Sequence, residues 1–347
     1  MRYKQLGPDG PKVSVICLGT MTYGEQNTEA EAHEQLDLAV ENGINFIDTA
    51  ELYSTPARAE TQGSTERIIG TWLADRNDRD QLIIATKIAG DRPFANHIRQ
   101  PLGFNRNQLE EALEASLDRM QTDYVDLYQL HWPNRNTNFF SQRGYVHDPN
   151  EQWEDDFLDI LQSMQDIIAS GRVRQWGVSN ETPWGLMRIL HLADHHGLPR
   201  PVSIQNPYSL VNRTFEVGLA EICMREQVSC LPYSPLAFGR LSGKYERGED
   251  RPESRLNKFP NQWLRYNSDN TLEAIRHYMR IAEENQLNMA QMALAFVNDR
   301  PFVASNIIGA TTIDQLKQNI GSADVELSEN VLSAIEEVHA LYPDPAP

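Results

Sequence analysis

Positive charge is scarce in this sequence of 347 residues. Lys and Arg number 31 against 49 Asp and Glu, which gives a formal net charge of -18. Such a surface is repelled by phosphate backbones and by anionic lipid headgroups, so we expect neither nucleic acid nor a membrane as a partner. The acidity itself we interpret as a contribution to solubility.

Cysteine and long apolar runs are scarce as well. Cys17, Cys223 and Cys230 form no spacing motif, which argues against a disulfide framework or a zinc site. No uninterrupted apolar stretch approaches the roughly 20 residues that span a bilayer. The first eight residues lack the apolar core of a signal peptide. We therefore expect a cytoplasmic protein without a metal site.

Two familiar fingerprints are also missing. No Gly-x-Gly-x-x-Gly follows the first apolar run, so the sequence has no Rossmann signature. His191 and His195 have the spacing of a zinc-protease helix, but Leu192 stands where that motif requires Glu. We interpret this part of the chain as a solvated helix face rather than a metal site.

What the sequence does contain is an alternation of short apolar runs with helical periodicity, from about residue 13 to residue 321. Apolar runs predict strands at 13–19, 44–48, 82–87, 124–130, 173–178, 202–205, 228–233 and 303–308. Helical patterns follow at 29–42, 64–75, 106–120, 157–170, 183–196, 214–227, 271–286 and 312–320. This order predicts one (β/α)8 TIM barrel as a single domain over residues 1–347.

Two segments fall outside the eightfold pattern. Residues 2–12 predict a β-hairpin that turns at Gly7-Pro8-Asp9-Gly10, and 328–340 predict an extra C-terminal helix capped by Ser328. The connections 88–105, 132–155 and 234–270 are longer than a barrel needs. Because all three follow strands, they are expected on the face where barrel active sites lie.

Four reactive side chains lie at or just beyond the ends of three predicted strands: Asp48, Tyr53, Lys87 and His131. Each alone is more easily explained as a structural residue; their joint occurrence at strand ends favours catalysis. A free phenol has a pKa of about 10, too high for acid–base work near neutrality. A neighbouring ammonium lowers that pKa. We therefore expect Lys87, paired with Asp48, to lower the pKa of Tyr53.

The same residues carry a resemblance to the aldo-keto reductases that covers essentially the whole chain. Gly43–Tyr53 matches the first signature of that family, and Lys87 and His131 complete its catalytic tetrad. Asn206–Leu210 and the Tyr-Pro-Asp-Pro-Ala-Pro tail are similar to the bacterial Tas-like subgroup. The resemblance implies NADPH-dependent reduction of aldehydes or ketones, with Tyr53 as the general acid and His131 orienting the carbonyl.

The resemblance also implies a dinucleotide laid across the barrel mouth. The nicotinamide end would contact residues after the first, fifth, sixth and seventh strands: Thr20, Met21, Ser179, Asn180, Gln205 and Tyr233. A loop would wrap the pyrophosphate with Ser234, Pro235, Leu236, Gly239 and Lys244, and Arg255 would face the adenosine. The segment 308–319, which leads into the predicted helix at 312–320, would add Gly309, Thr311, Gln315 and Asn319, where a glycine and a helix N-terminus favour a phosphate. A plain barrel helix capped by a threonine remains the alternative there.

The substrate is expected to be a small carbonyl compound, with Trp132 and, on a weaker indication, Tyr23 in its pocket. Three alternatives stay open. The first is a dehydrogenase that runs toward NADP reduction. The second is a nucleotide-binding regulatory subunit resembling the potassium-channel β-subunits. The third is a barrel that acts on phosphorylated substrates without a dinucleotide. The sequence does not indicate an oligomeric state.

Overall fold

The computed structural model describes residues 1–250, 252–262 and 264–347. Its strands are β1 (Tyr3–Gln5), β2 (Lys12–Ser14), β3 (Ile16–Gly19), β4 (Phe46–Asp48), β5 (Ile83–Ile88), β6 (Val125–Leu130), β7 (Val173–Ser179), β8 (Ser203–Gln205), β9 (Ser229–Cys230) and β10 (Asn306–Ile308).

The α-helices are α1 (Glu29–Glu41), α2 (Ser64–Ala74), α3 (Arg106–Met120), α4 (Phe157–Ala169), α5 (Pro183–His196), α6 (Leu219–Glu226), α7 (Arg255–Lys258), α8 (Asp269–Glu284), α9 (Met289–Asn298), α10 (Ile313–Ile320) and α11 (Glu329–Leu341). Side-chain caps begin several of them. Thr28 forms a capping box with Glu31 before α1, and the Ser328 hydroxyl accepts the Val331 N–H at the start of α11. In the described part of the chain, no helix combines the length and apolarity that crossing a membrane requires.

Eight strands form one parallel sheet in the order β10-β3-β4-β5-β6-β7-β8-β9. The two ends of this sheet meet where Cys230 forms a parallel bridge with Val303. The Cys230 N–H donates to Phe302 O over 2.9 Å, and Ala304 N–H donates to Cys230 O over 3.0 Å. These bonds close the sheet, with helices packed outside it. The predicted (β/α)8 barrel, its N-terminal hairpin and its C-terminal helix are confirmed.

The opening apolar run is divided between two structures rather than forming one strand. Val13 pairs with Lys4 in the antiparallel hairpin of β1 and β2, and the first barrel strand begins only at Ile16. The Ser14 N–H donates to Asn45 Oδ1, and the Val15 N–H donates to Arg2 O. The Val15 carbonyl accepts the Asn306 N–H of β10 over 2.9 Å, so the chain crosses at Val15 from the hairpin into the barrel.

The helix assigned to the barrel between β9 and β10 was the wrong one, whereas the helix predicted at 312–320 is α10. The helix predicted near 271–286 is α8, which packs on α11 and α9 outside the barrel. The helix that packs on β10 is α9, which the sequence pattern did not indicate. All residues of α9 except Gln291 are buried, so it shows no alternation of polar and apolar faces.

Candidate active site

The ends of β4 and β5 bring a buried ion pair to the floor of the barrel mouth. The Lys87 ammonium lies 2.6 Å from Asp48 Oδ2 and donates to Thr49 O over 2.7 Å. The Lys87 side chain is fully buried and that of Asp48 is nearly so. Since water cannot screen these charges, the pair acts strongly on neighbouring groups.

Tyr53 and His131 complete the group. Lys87 Nζ lies 4.9 Å from the centroid of the Tyr53 ring, and the Tyr53 and His131 rings meet edge to face at 5.7 Å. Asp48, Tyr53 and His131 line a cavity, whereas Lys87 lies beneath its floor. The structure therefore brings together all four residues that the sequence indicates.

The electrostatics differ from the expectation at one point. Burial raises the pKa of Tyr53, and Lys87 only partly offsets it, so the net direction is upward rather than downward. Burial alone disfavours the Lys87 ammonium, but Asp48 and Tyr53 outweigh it and raise the pKa of Lys87. Burial and then Lys87 hold the pKa of His131 well below 6.5. At neutral pH the site thus contains a protonated phenol, an ammonium and a neutral imidazole.

The cavity has a volume of about 1010 Å³ and opens at the carboxyl ends of the strands. Every residue predicted to contact the dinucleotide lines it. They come from the last residues of β7 and β8, from the loops after β3, β7, β9 and β10, and from α7 and α10, so the cavity crosses the barrel mouth from one side to the other. Drug-sized sites occupy about 300–1,000 Å³, so this cavity is large enough for an extended ligand.

Hydrogen bonds between polar groups connect His131, which follows β6, with the ends of β7 and β8 and with the loop after β9. Asn180 has a left-handed backbone with φ 55°, and its Nδ2 donates to His131 O over 2.8 Å. The Tyr233 hydroxyl donates to Asn180 Oδ1 over 2.7 Å, and the Ser179 hydroxyl donates to Gln205 O over 2.7 Å. These bonds set the positions of the side chains that the resemblance assigns to the nicotinamide.

Two cations line the cavity, Lys244 from the loop after β9 and Arg255 from α7. Within the ranges described, neither Lys244 nor Arg255 forms an ion pair with an acidic side chain. Burial lowers the pKa of Lys244, with Arg255 adding to the effect, and burial lowers the pKa of Arg255 to about 10. Two neighbouring charges that form no ion pair in the described part of the chain are suited to an anionic ligand. The charge of Arg255 also acts to lower the pKa of Tyr53. This effect was not expected of a residue predicted to face the adenosine.

Two glycines that line the cavity leave their backbone open to it. Gly239 has φ +95°, and a Cβ there would lie 3.3 Å from Lys244 Cε. A Cβ on Gly309 would meet only Gly19 O at 3.9 Å, so it would project toward the cavity rather than clash with protein. Gln315 Oε1 accepts the Thr311 N–H over 3.0 Å and so shapes the loop before α10. These features fit a dinucleotide with phosphate groups.

The two predicted substrate residues differ in outcome. Trp132 lines the cavity and packs near Phe94 and Phe140, with ring centroids 5.1 and 6.0 Å away. It is also 1% exposed, so it belongs to the core as much as to the pocket. Tyr23 does not line the cavity: its ring is fully buried and its hydroxyl donates to Gln35 Oε1 over 3.3 Å. The pocket assignment of Tyr23 was therefore wrong.

Three polar features of the site were missed. Gln129 of β6 donates to Asp48 Oδ1. Glu51 pairs with Arg99 over 2.6 Å and accepts the Ala89 N–H. Arg135 forms a buried ion pair with Glu181. Only Gln129 gave a readable signal, since it interrupts an apolar strand two positions before His131 and so shares its face. In the described residues, no cluster of His, Cys, Asp and Glu could hold a metal ion.

Comparisons with known proteins agree with this geometry. The model of the aldo/keto reductase family matches residues 15–340. "Protein tas" of Escherichia coli is 51% identical over the full length of both chains. An "Aldo-keto reductase" of Babesia bovis is 33% identical over 76% of this chain and 98% of its own. A "Probable voltage-gated potassium channel subunit beta" of Arabidopsis thaliana is 31% identical over 97% of this chain and 96% of its own.

Proposed function

Because the chain belongs to the aldo-keto reductase family, and is an oxidoreductase of its Tas-like subgroup, we propose that it reduces aldehydes or ketones to alcohols with NADPH. One observation carries the proposal. The buried Lys87 ammonium lies 2.6 Å from Asp48 and 4.9 Å from the Tyr53 ring, beside a cavity lined by the predicted nucleotide residues. The dinucleotide, when bound, supplies the hydride.

Tyr53 supplies the proton in this proposal. Since burial raises its pKa, the phenol is protonated at neutral pH and can donate to the carbonyl oxygen. Lys87 then stabilises the phenolate that remains, and Asp48 holds Lys87 in place. His131 is neutral, so it hydrogen-bonds the same oxygen without adding a charge. In the reverse direction the phenolate accepts the proton of the alcohol.

Lys244 and Arg255 would hold the phosphates, and a preference for NADPH over NADH would rest mainly on these two residues. The neutral contacts of Ser179, Asn180, Gln205 and Tyr233 would orient the nicotinamide. Support comes from their common position along the cavity wall. Trp132, Phe94 and Phe140 would exclude water and contact the apolar part of the substrate.

The test follows NADPH absorbance while the purified protein is offered a panel of aldehydes and ketones. We expect consumption of NADPH with at least one of them, slower consumption of NADH, and no effect of a chelator. Loss of activity with chelator would contradict the metal-free mechanism. Equal use of both nucleotides would remove the role given to Arg255.

A second candidate function is nucleotide binding in a regulatory subunit. The observation that favours it is the relative named as a potassium-channel β-subunit, which is similar over nearly the whole chain. NADPH binding without turnover of any carbonyl compound would support this candidate. The neutral His131 beside Tyr53 favours catalysis.

A further inference from the structure

Gln129 is a fully buried polar side chain that the proposed chemistry does not use. It lies on β6 in register with Lys87 of β5, so it neighbours the catalytic lysine across the sheet. A polar group in the centre of a barrel is costly unless its hydrogen bonds are satisfied. Its partners therefore indicate why it is there.

Those partners belong to the ion pair. Gln129 Nε2 lies 3.2 Å and Gln205 Nε2 lies 2.8 Å from Asp48 Oδ1, the oxygen that Lys87 leaves free. Gln205 Nε2 also lies 3.2 Å from Gln129 Oε1. Because an ionised carboxylate only accepts, both amides must turn their NH2 groups toward it. The two glutamines thus form an amide clamp on Asp48.

We propose that Gln129 is a positioning residue for proton transfer by Tyr53, acting through its half of the clamp on Asp48; this rests on the proposed function. The clamp fixes the rotation of the carboxylate and so the direction in which Lys87 Nζ is held. The clamp also offsets part of the negative charge of Asp48. That charge raises the pKa of Tyr53, whereas the Lys87 ammonium lowers it. Gln205 lines the cavity, so the clamp connects the ion pair to whatever binds there.

Other charged or titratable groups also face this site. The phenol of Tyr53 is influenced from β4, β5 and α7 by Asp48, Lys87 and Arg255. His131, directly after β6, and Tyr233, in the loop after β9, also face this phenol. Cys17 of β3 adjoins Asp48 and Lys87. A change at Gln129 leaves all of these side chains in the protein, so its effect can be separated from theirs.

The test compares Gln129→Met, which keeps the size but removes the donor, with Gln35→Met as a matched control. Gln35 is equally buried, but among the described residues its side chain bonds only to the Tyr23 hydroxyl, away from the cavity. For Gln129→Met we expect kcat to fall on the order of tenfold, because the variant loses one hydrogen bond to a charged group. The pKa that controls alcohol oxidation should rise by about one unit, because without this hydrogen bond the negative charge of Asp48 disfavours the phenolate of Tyr53 more strongly. NADPH affinity should be unchanged.

Gln129→Glu serves if the methionine variant does not fold. It keeps the shape and donates only while its carboxyl is protonated, so activity should be retained at low pH and lost as pH rises. A Gln129→Met enzyme that loses thermal stability but keeps the wild-type kcat and pH profile would overturn the proposal. So would an equal change of pH profile in Gln35→Met.

A second readout separates this proposal from the function itself. If the wild-type protein turns over no carbonyl or alcohol, the proposed function fails. The pH dependence of NADP⁺ affinity, followed by quenching of tryptophan fluorescence, then tests the clamp. A shift of that profile in Gln129→Met but not in Gln35→Met supports it, and identical profiles overturn it.

Discussion

Two buried carboxylates, Asp48 and Asp126, lie at opposite ends of the barrel and have opposite surroundings. Asp126, near the start of β6, accepts from Arg79 over 2.9 Å, Arg174 over 3.1 Å and the Ile84 N–H over 3.0 Å. Asp48, at the end of β4, accepts from Lys87 and from the two amides of the clamp. Each accepts several hydrogen bonds, so the number of bonds does not distinguish the carboxylate proposed to serve catalysis from the structural one.

The cations distinguish them. Arg79 and Arg174 remain 16% and 50% exposed, and both stack on the ring of Tyr124 with 4.1 Å to its centroid. Lys87 is entirely removed from solvent and directs its charge at a phenol in a cavity. We therefore expect an ion pair to serve catalysis when its cation is buried from solvent and lies beside a reactive side chain. With water available, the same pairing stabilises the barrel end.

The largest expected effect tests the two tyrosines beside these cations. Tyr53→Phe should lower turnover by roughly 10²–10⁴, the usual cost of losing a general acid, with nearly unchanged NADPH affinity. Tyr124→Phe keeps the ring between the two arginines and should leave turnover unchanged. Steady-state kinetics and nucleotide titration of both variants provide the measurement. Wild-type turnover in Tyr53→Phe would remove this residue from the mechanism.

The next effect concerns the cations in the cavity. Lys244→Ala and Arg255→Ala should each weaken NADPH binding by roughly 10- to 100-fold, because a charge-assisted contact to phosphate is lost. Chemistry at saturating NADPH should change less, although Arg255→Ala should also raise the pKa of Tyr53. Lys317→Ala, on the exposed side of α10, is the matched control. Equal weakening of NADH and NADPH in Arg255→Ala would argue against a 2′-phosphate contact.

Asp126→Asn should affect stability and not activity. The amide keeps the shape but leaves Arg79 and Arg174 without their carboxylate, at a cost of about 2 kcal/mol in the free energy of unfolding. The partial exposure of both arginines keeps the cost this low. Urea denaturation gives the stability and steady-state kinetics the activity. A fall in kcat at unchanged stability would show that the structural end of the barrel contributes to the chemistry.

A smaller effect is expected at the substrate wall. Phe140 is 41% exposed and lines the cavity, whereas Tyr145 on the same loop is 55% exposed and does not. Phe140→Ala should change the ratio of kcat/KM between large and small carbonyl compounds by up to about tenfold. Tyr145→Ala should leave the ratio as it is. Trp132→Ala would also alter the ratio, but its loss from the core would lower thermal stability as well.

The smallest expected effect is a flat pH profile. The pKa of Tyr53 is raised, so the phenol stays protonated as pH rises, and the pKa of His131 is lowered, so the imidazole stays neutral as pH falls. In the reduction direction, kcat/KM should vary little between about pH 6 and about pH 9. A decline centred near the ordinary histidine pKa would show that His131 titrates in the free enzyme.

The sequence predicted the barrel because its strands and most of its helices keep clear periodicities. It misplaced what lacks a period: α9 is buried on every side, and the run from Val13 to Gly19 conceals a turn between two structures. The four residues of the tetrad were predictable because they lie at or just beyond the ends of strands. The net pKa of Tyr53 was not, since the depth of burial is a property of the closed cavity. Tyr23 follows the first barrel strand but turns inward, and order along the chain does not reveal that direction.

The bonds between Cys230 and the segment around Val303 have a consequence for folding. Asp48, Lys87, Gln129 and Gln205 come from four strands, and the sheet that holds them is closed only when chain segments far apart in sequence meet. Contacts of such large sequence separation form late because loop closure must precede them. On refolding from denaturant, recovery of turnover should therefore lag behind recovery of helical circular dichroism. Activity in this protein would then report the moment at which the barrel closes.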